Sequence, residues 1–431
     1  MGKKPVLIIC YYWPPAGGPG VQRWLKFVKY LGEFDIEPHV FVPDNPHYPM
    51  VDHSFEKEVP EEVRVIRFPI KEPYRYAKWL SKRKTQEMST GIISEKDPSI
   101  LGRLLLFIRG NLFIPDARVG WVKPSVRFLK DYLGQNAIDT IITTGPPHSL
   151  HLIGLRLKRE MDLKWIADFR DPWTTIHYHQ SLRLTRTSQR KHKALEKEVL
   201  QSADTVVVTS NTTKKEFGRL TNVPVSVITN GYDAQEEVEA RPDPEFSLVH
   251  IGSLLSERNP VSLWKVLSKL CNENAEFSNH FCLKLAGTVG EEICNSLESH
   301  GLLERTQLLG YVKHSEALQL QHNAQVLLLI EMDRPETRAI IPGKLFEYLR
   351  ARRPIIAMGP EGSDVPFILN ETMAGSYFLY AEETRLEEEI LQLFDQFLRG
   401  KLEATKGPIE NYSRRELTKT LVSLIQKGNS V

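Results

Sequence analysis

Four cysteines in 431 residues, at positions 10, 271, 282 and 294, are too few to staple the chain, and they lack the short paired spacing that holds zinc. A reducing compartment fits them. An excess of either charge is also missing, since 56 Lys and Arg stand against 54 Asp and Glu. That near balance removes the electrostatic case for a nucleic-acid partner and leaves room only for local basic patches. Long apolar runs are absent too. The first, Val6–Cys10, is too short and wrongly flanked for a signal peptide, and no later run approaches the roughly 20 residues of a bilayer span. The expected location is the cytoplasm, either free or peripheral on the inner face of the membrane. The G-x-G-x-x-G fingerprint is missing as well, which disfavours nicotinamide and flavin chemistry. With 41% hydrophobic and 26% charged residues, the chain is globular in composition and long enough for two cores.

Short β-branched runs alternate with amphipathic stretches, the pattern of parallel βα units. In the first half strands are predicted at Val6–Cys10, His39–Val42, Val63–Arg67, Thr140–Thr143, Lys164–Asp168, Thr205–Thr209 and Val225–Thr229. Between the first two, Val21, Trp24, Leu25, Val28 and Leu31 recur at helical spacing. An Asn230-Gly231 turn and a Glu- and Pro-rich stretch separate a second series, with strands at Leu248–Ile251, Phe281–Ala286, Gln307–Leu309, Val326–Ile330 and Pro354–Met358. Two amphipathic helices, Leu386–Leu398 and Arg415–Ile425, close the chain. The expected fold is α/β, with two Rossmann-like domains over 1–235 and 245–400 facing across a cleft and residues 401–431 returning as a helix to the first domain. An insertion at about 68–121 interrupts the first domain, where Tyr74, Tyr76 and Trp79 interleave with Arg75, Lys78, Lys82, Arg83 and Lys84 ahead of the run Arg103–Arg109. This composition suits either an anionic membrane surface or a solvated insertion that packs Trp79 and Phe107 on the first domain.

Candidate chemistry sits where strands end. After the first strand comes Pro14-Pro15-Ala16-Gly17-Gly18, whose glycines make either a tight turn or a loop that lets a ligand approach the backbone. After the fourth strand comes Gly145-Pro146-Pro147-His148-Ser149: His148 is placed to bond a hydroxyl or a phosphate, or is simply a loop residue, and Ser149 is placed to cap the helix that follows. After the fifth comes Asp168-Phe169-Arg170-Asp171-Pro172-Trp173. Asp168 either pairs with Arg170 or Arg118 or, with Asp171, gathers hydroxyls, and the two carboxylates have no metal-site spacing.

In the second half, Gly252 and Ser253 can turn backbone amides toward a phosphate that Arg258 would neutralise. Gly343-Lys344 opens a helix, so free amides and a cation coincide at its start, with Glu347 on the same face. Together these read as a site for a diphosphate.

Taken in order, the Pro-Pro-x-Gly-Gly loop, Asn230-Gly231-Tyr232-Asp233, Gly252-Ser253 with Arg258, Gly310-Tyr311-Val312, Gly343-Lys344-x-x-Glu347-Tyr348 and Arg353-Pro354 resemble glycosyltransferase family 4 over nearly the whole chain. That family comprises retaining enzymes of the GT-B fold. The resemblance implies that Arg258 and Lys344 hold the diphosphate of a sugar nucleotide, that Glu347 contacts its ribose, and that Gly310 to Val312 lie where the base is read. The donor-binding set is then Gly17, Gly18, Gly252, Ser253, Arg258, Tyr311, Val312, Gly343, Lys344 and Glu347. Two departures stand out. Ala339 occupies the place of the family's first glutamate, with Glu336 and Arg338 as nearby substitutes, and Arg170-Asp171 stand where many members have a histidine.

The expected activity is transfer of a sugar to an acceptor hydroxyl in glycan, surface polysaccharide or glycolipid synthesis, with Arg258 and Lys344 stabilising the departing diphosphate and no metal required. His148, Asp168, Arg170 and Asp171 form the acceptor-binding set, with His148 and Asp171 also counted as catalytic. The partners expected are a nucleotide-sugar donor, a glycan or lipid-linked acceptor and an anionic membrane surface. No cofactor is expected besides the donor substrate. The rival readings are a nucleotide-sugar epimerase or hydrolase on the same fold, and a non-catalytic subunit that binds a sugar nucleotide.

Overall fold

A computed structural model describes residues 2–72, 100–176, 179, 182–234, 238–402 and 405–427. The aromatic and basic residues between 74 and 84 fall outside them. The chain divides into two compact units, Met1–Thr229 with Arg414–Val431, and Asn230–Ser413.

The first unit is built on a parallel sheet of β1 (Lys4–Ile9), β2 (Ile36–Asp44), β3 (Arg64–Pro69), β4 (Thr140–Gly145), β5 (Lys164–Phe169), β6 (Thr205–Val208) and β7 (Val225–Val227), in the order β3-β2-β1-β4-β5-β6-β7. Successive residues of a strand point to opposite faces, so a strand covered on both sides must be apolar throughout. In β1, Leu7 and Ile9 join Trp121, Ile141 and Trp165 on one face, while Val6 and Ile8 join Trp24, Leu25, Leu421 and Ile425 on the other.

Helix Ile100–Leu112 lies in the later part of the predicted insertion, and helix Val119–Gln135 starts at its end and runs on beyond it. The second carries Pro124 inside it, which masks its periodicity in the sequence.

The second sheet runs β10-β9-β8-β11-β12-β13, also parallel, from β8 (Phe246–Ile251), β9 (Phe281–Ala286), β10 (Thr306–Gly310), β11 (Val326–Ile330), β12 (Ile355–Gly359) and β13 (Gly375–Leu379). The edge strand β13 is absent from the sequence-based expectation, because only one of its five residues is fully buried and Gly375 weakens the pattern. That glycine is obligatory: a Cβ there would stand 1.9 Å from the carbonyl oxygen of Ile355.

The chain changes units at Thr229, earlier than the turn at 230–235 suggested, because Tyr232 bridges to Ser413 and donates its N–H to the Tyr412 carbonyl at 3.1 Å. The last helix, Arg414–Gln426, belongs to the first unit, where it packs on the helix Pro19–Leu31. It buries Leu417, Leu421, Val422, Leu424 and Ile425, each worth about 1.5–3 kcal/mol as an upper estimate. Lys164 from β5 caps it, donating to the carbonyls of Leu424 at 2.6 Å and Ile425 at 3.2 Å and to that of Lys427.

In both sheets the strand order reverses beside the unit's opening strand, between β1 and β4 and between β8 and β11. Loops leaving such a pair diverge, which opens a crevice at the carboxyl ends of the strands. Each unit's candidate residues gather at that edge.

Candidate functional site

Strands β8 and β11 pair only at Leu248–Val326 and Val249–Leu327. Beyond that point side chains replace the ladder. The Tyr348 hydroxyl accepts from the Ile251 N–H at 2.9 Å, and Nδ1 of His250 lies 3.0 Å from the Leu328 carbonyl oxygen. A carbonyl only accepts, so Nδ1 carries the proton and Nε2 is left as an acceptor. It faces Nζ of Lys344 at 3.3 Å. Burial, then the nearby charges of Lys344 and Arg258, hold the pKa of His250 well below the ordinary imidazole value, so the ring is neutral.

Lys344 opens the helix Lys344–Ala351 and is partly buried. Burial and the Arg258 guanidinium lower its pKa to about 7, against the opposing pull of Glu347. Gly252 follows β8 with φ +111°, and a Cβ there would stand 2.8 Å from Nζ of Lys344. Its N–H donates to Ala286 at 2.7 Å, and that of Gly287 donates to Gly310 at 2.6 Å. A row of glycines thus closes the ends of β8, β9 and β10. Gly287 carries no signal in the sequence beyond its place after a strand.

Arg258 lies in the turn Ser256–Arg258, and its Nε is buried with no hydrogen-bond partner among the described residues. Ser253 and Gly343 are exposed. Glu347 accepts from Gln321 at 3.0 Å. Tyr311, 92% exposed, and Val312 follow β10, two strands from β8 and so on the order of 10 Å away along the same edge.

The site holds a carboxylate that sequence reasoning missed. Glu331, just past β11, is 4% exposed and accepts from Ser363 at 3.0 Å and Tyr377 at 3.0 Å. Burial raises its pKa to about 7 despite those donors and the charge of Arg258. Its only signal in the sequence is a carboxylate directly after an apolar strand. Ala339, at the place of the absent glutamate, is buried, and the proposed substitutes Glu336 and Arg338 differ from Glu331 in being exposed.

In the first unit two residues have other jobs than expected. Asp168 is 1% exposed and accepts from Arg23 at 2.8 Å, Trp24 at 2.8 Å and Thr144 at 2.9 Å. Its partner is Arg23, neither Arg170 nor Arg118, and its oxygens are engaged inside the core rather than offered to an acceptor. Arg118 pairs instead with the buried Glu72 at 3.2 Å. Ser149 does not cap its helix with its own side chain; the Asp116 carboxylate accepts from the Ser149 N–H at 2.8 Å and hydroxyl at 2.9 Å.

Arg170 binds the loops on either side of it, donating to the carbonyl of Gly20 at 2.7 Å and to that of Pro146. Asp171 is partly buried beside it. His148 is 8% exposed and stacks flat on Trp173, with centroids 4.8 Å apart. Burial first, then surrounding positive and imidazole groups, push its pKa well down. It packs with His151 against Gly145, where a Cβ would meet the two rings at 2.9 and 2.6 Å. Gly17 and Gly18 are built into this same unit. Gly17 donates to the Met50 carbonyl at 2.9 Å, and Gly18 takes φ +85° ahead of the helix Pro19–Leu31.

Two parallel sheets of this order define the GT-B class, and solved structures show the same architecture. A sucrose-phosphate synthase from Thermosynechococcus elongatus is similar at 15% identity and a TM-score of 0.61, over 98% of both chains. A glycosyltransferase from Rickettsia africae is similar at 12% identity and a TM-score of 0.60, over 99% of this chain and 100% of that one. The Anabaena protein HepE, solved in complex with UDP-glucose, is similar at 13% identity and a TM-score of 0.57, over 98% of this chain and 99% of its own. No curated protein sequence matches the chain. Residues 92–236 match the family model described as Glycosyltransferase Family 4. The chain is thus similar to family 4 glycosyltransferases over that segment, and its fold is that of the GT-B class.

Proposed function

We propose that the chain transfers a sugar from a nucleotide diphosphate donor bound by its second unit to an acceptor hydroxyl bound by its first, in the synthesis of a glycan, surface polysaccharide or glycolipid. The observation that carries this is the pair of cations at the parting of β8 and β11. Lys344 stands over Gly252 close enough to Arg258 to be depressed by it. Two cations beside a helix start suit a diphosphate, whose charge would restore the proton to Lys344.

Cleavage of the sugar–phosphate bond leaves negative charge on the diphosphate, where Lys344 and Arg258 lower the barrier by stabilising it without a metal. The family resemblance supports attack by the acceptor hydroxyl from the face the phosphate leaves, with its proton passing to a phosphate oxygen and retention at the sugar carbon. Tyr311 and Val312 are proposed to border the base. Asp171 and His148 orient the acceptor in this reading. Unit one presents the loops after β1, β4 and β5 for it.

The test is a panel of sugar nucleotides screened for binding by thermal shift, then for nucleoside diphosphate release with and without lipid-linked and glycan acceptors. Release that needs an acceptor supports transfer. Acceptor-independent turnover favours an epimerase or hydrolase, and binding without turnover favours a non-catalytic subunit.

A further inference from the structure

Among the polar groups around Lys344, His250 has no part in the reading above. It is fully buried at the end of β8, and both ring nitrogens are committed. Nδ1–H donates to the Leu328 carbonyl, which the Tyr348 hydroxyl also reaches at 3.4 Å, and this fixes the tautomer and aims the Nε2 lone pair at Lys344. An ammonium has three protons on a flexible stem, and without an acceptor it is not held in one direction. With one proton on Nε2, Nζ is held beside Gly252, where a Cβ would stand 2.8 Å from it.

We propose that His250 is a positioning residue for Lys344, holding Nζ over Gly252 so that the lysine meets a diphosphate in one fixed geometry. The inference rests on the diphosphate reading of this site. The groups that face Lys344 are His250 from β8, Arg258 from its turn and Glu347 from its own helix, while Glu331 from the end of β11 faces Arg258. Of these only His250 offers a neutral lone pair at hydrogen-bond distance. A carboxylate in its place would neutralise the cation; an imidazole orients it and leaves its charge for the ligand.

Two substitutions separate the two ring nitrogens. His250→Asn keeps a donor for Leu328 and loses the acceptor for Lys344, whereas His250→Gln reaches as far as Nε2 and keeps an acceptor. The full chain is titrated with inorganic pyrophosphate by calorimetry from pH 6 to 9. His250→Asn is expected to bind about tenfold more weakly than wild type at neutral pH, the loss of one hydrogen bond to a charged group. Its affinity should also begin to fall at a lower pH, because the charged lysine has lost an acceptor. His250→Gln should stay within about threefold of wild type with the wild-type pH profile.

Equal losses in the two variants, or wild-type affinity and pH profile in His250→Asn, would overturn the proposal. If His250→Asn melts early, His250→Leu takes its place in the comparison. Wild-type binding that Lys344→Ala abolishes and His250→Asn leaves untouched sinks this inference alone. No binding by the wild-type chain sinks the diphosphate reading and this inference with it.

Discussion

The guanidinium of Arg23 meets the carboxylate of Asp168 at 2.8 Å, with side-chain exposures of 2% and 1%. A pair this deep gains little against an apolar substitute but costs heavily when one partner is removed. Arg23→Ala, which leaves the carboxylate buried and also frees the Thr229 carbonyl, should cost about 3–5 kcal/mol in urea unfolding. Burial alone would raise the pKa of Asp168; the charge and hydrogen bonds of Arg23, with those of Trp24 and Thr144, reverse this and hold it below the ordinary value of 3.8. Its contribution is therefore present above that pH and lost as the pH falls through the folded-state value. A loss under about 1 kcal/mol at neutral pH would show that the pair is dispensable.

Glu331 works in the opposite sense. Its folded pKa of about 7 lies above the ordinary 4.5, so its contribution is whole below pH 4.5 and disappears as the pH rises through 7, a difference on the order of 3 kcal/mol. Glu331→Gln should consequently raise the melting temperature at pH 8 by several degrees and change it little at pH 4.5. Equal melting of the two proteins at pH 8 would show that Glu331 ionises without penalty.

Turnover should depend on the two cations. Removing one donor to the leaving group is expected to cost on the order of 3 kcal/mol of transition-state stabilisation. Lys344→Ala and Arg258→Ala should each lower kcat/KM about a hundredfold or more, with circular dichroism unchanged. Near-wild-type rates in both would dismiss the assignment.

Gly252→Ala tests the approach to Lys344. The new methyl group would lie 2.8 Å from Nζ on a backbone of φ +111°, where L residues are strained by about 1–3 kcal/mol. Pyrophosphate affinity should fall at least tenfold, on top of that stability loss. Unchanged affinity would mean that the lysine can retreat and still bind.

The alternation of apolar runs and helices gave both sheets apart from β13, because strands buried on two faces announce themselves as continuous apolar segments. The Gly343-Lys344 start was legible for a similar reason: its parts are contiguous, and a helix start is a local event. His250 lies inside the predicted strand Leu248–Ile251, yet its role depends on Leu328 and Lys344, 78 and 94 positions away. Spacing cannot show which strand lies beside β8. Asp168 illustrates the same limit, since a partner 145 residues distant in helix Pro19–Leu31 turned an apparent ligand residue into part of the core. Glu331 was hidden differently, because an acidic residue after a strand looks the same whether it meets water or the hydroxyl of Tyr377.

The helix Arg414–Gln426 helps to cover one side of the first sheet beside the helix Pro19–Leu31, although it is synthesised after the whole of Asn230–Ser413. On the ribosome, then, the amino-terminal unit emerges first and is finished late, with Val6, Ile8 and Trp24 lacking Leu421 and Ile425 until the second unit has left the exit tunnel. Nascent chains stalled at Ser413 should show that bare flank to chaperones, and release of the last thirteen-residue helix is the step that closes it.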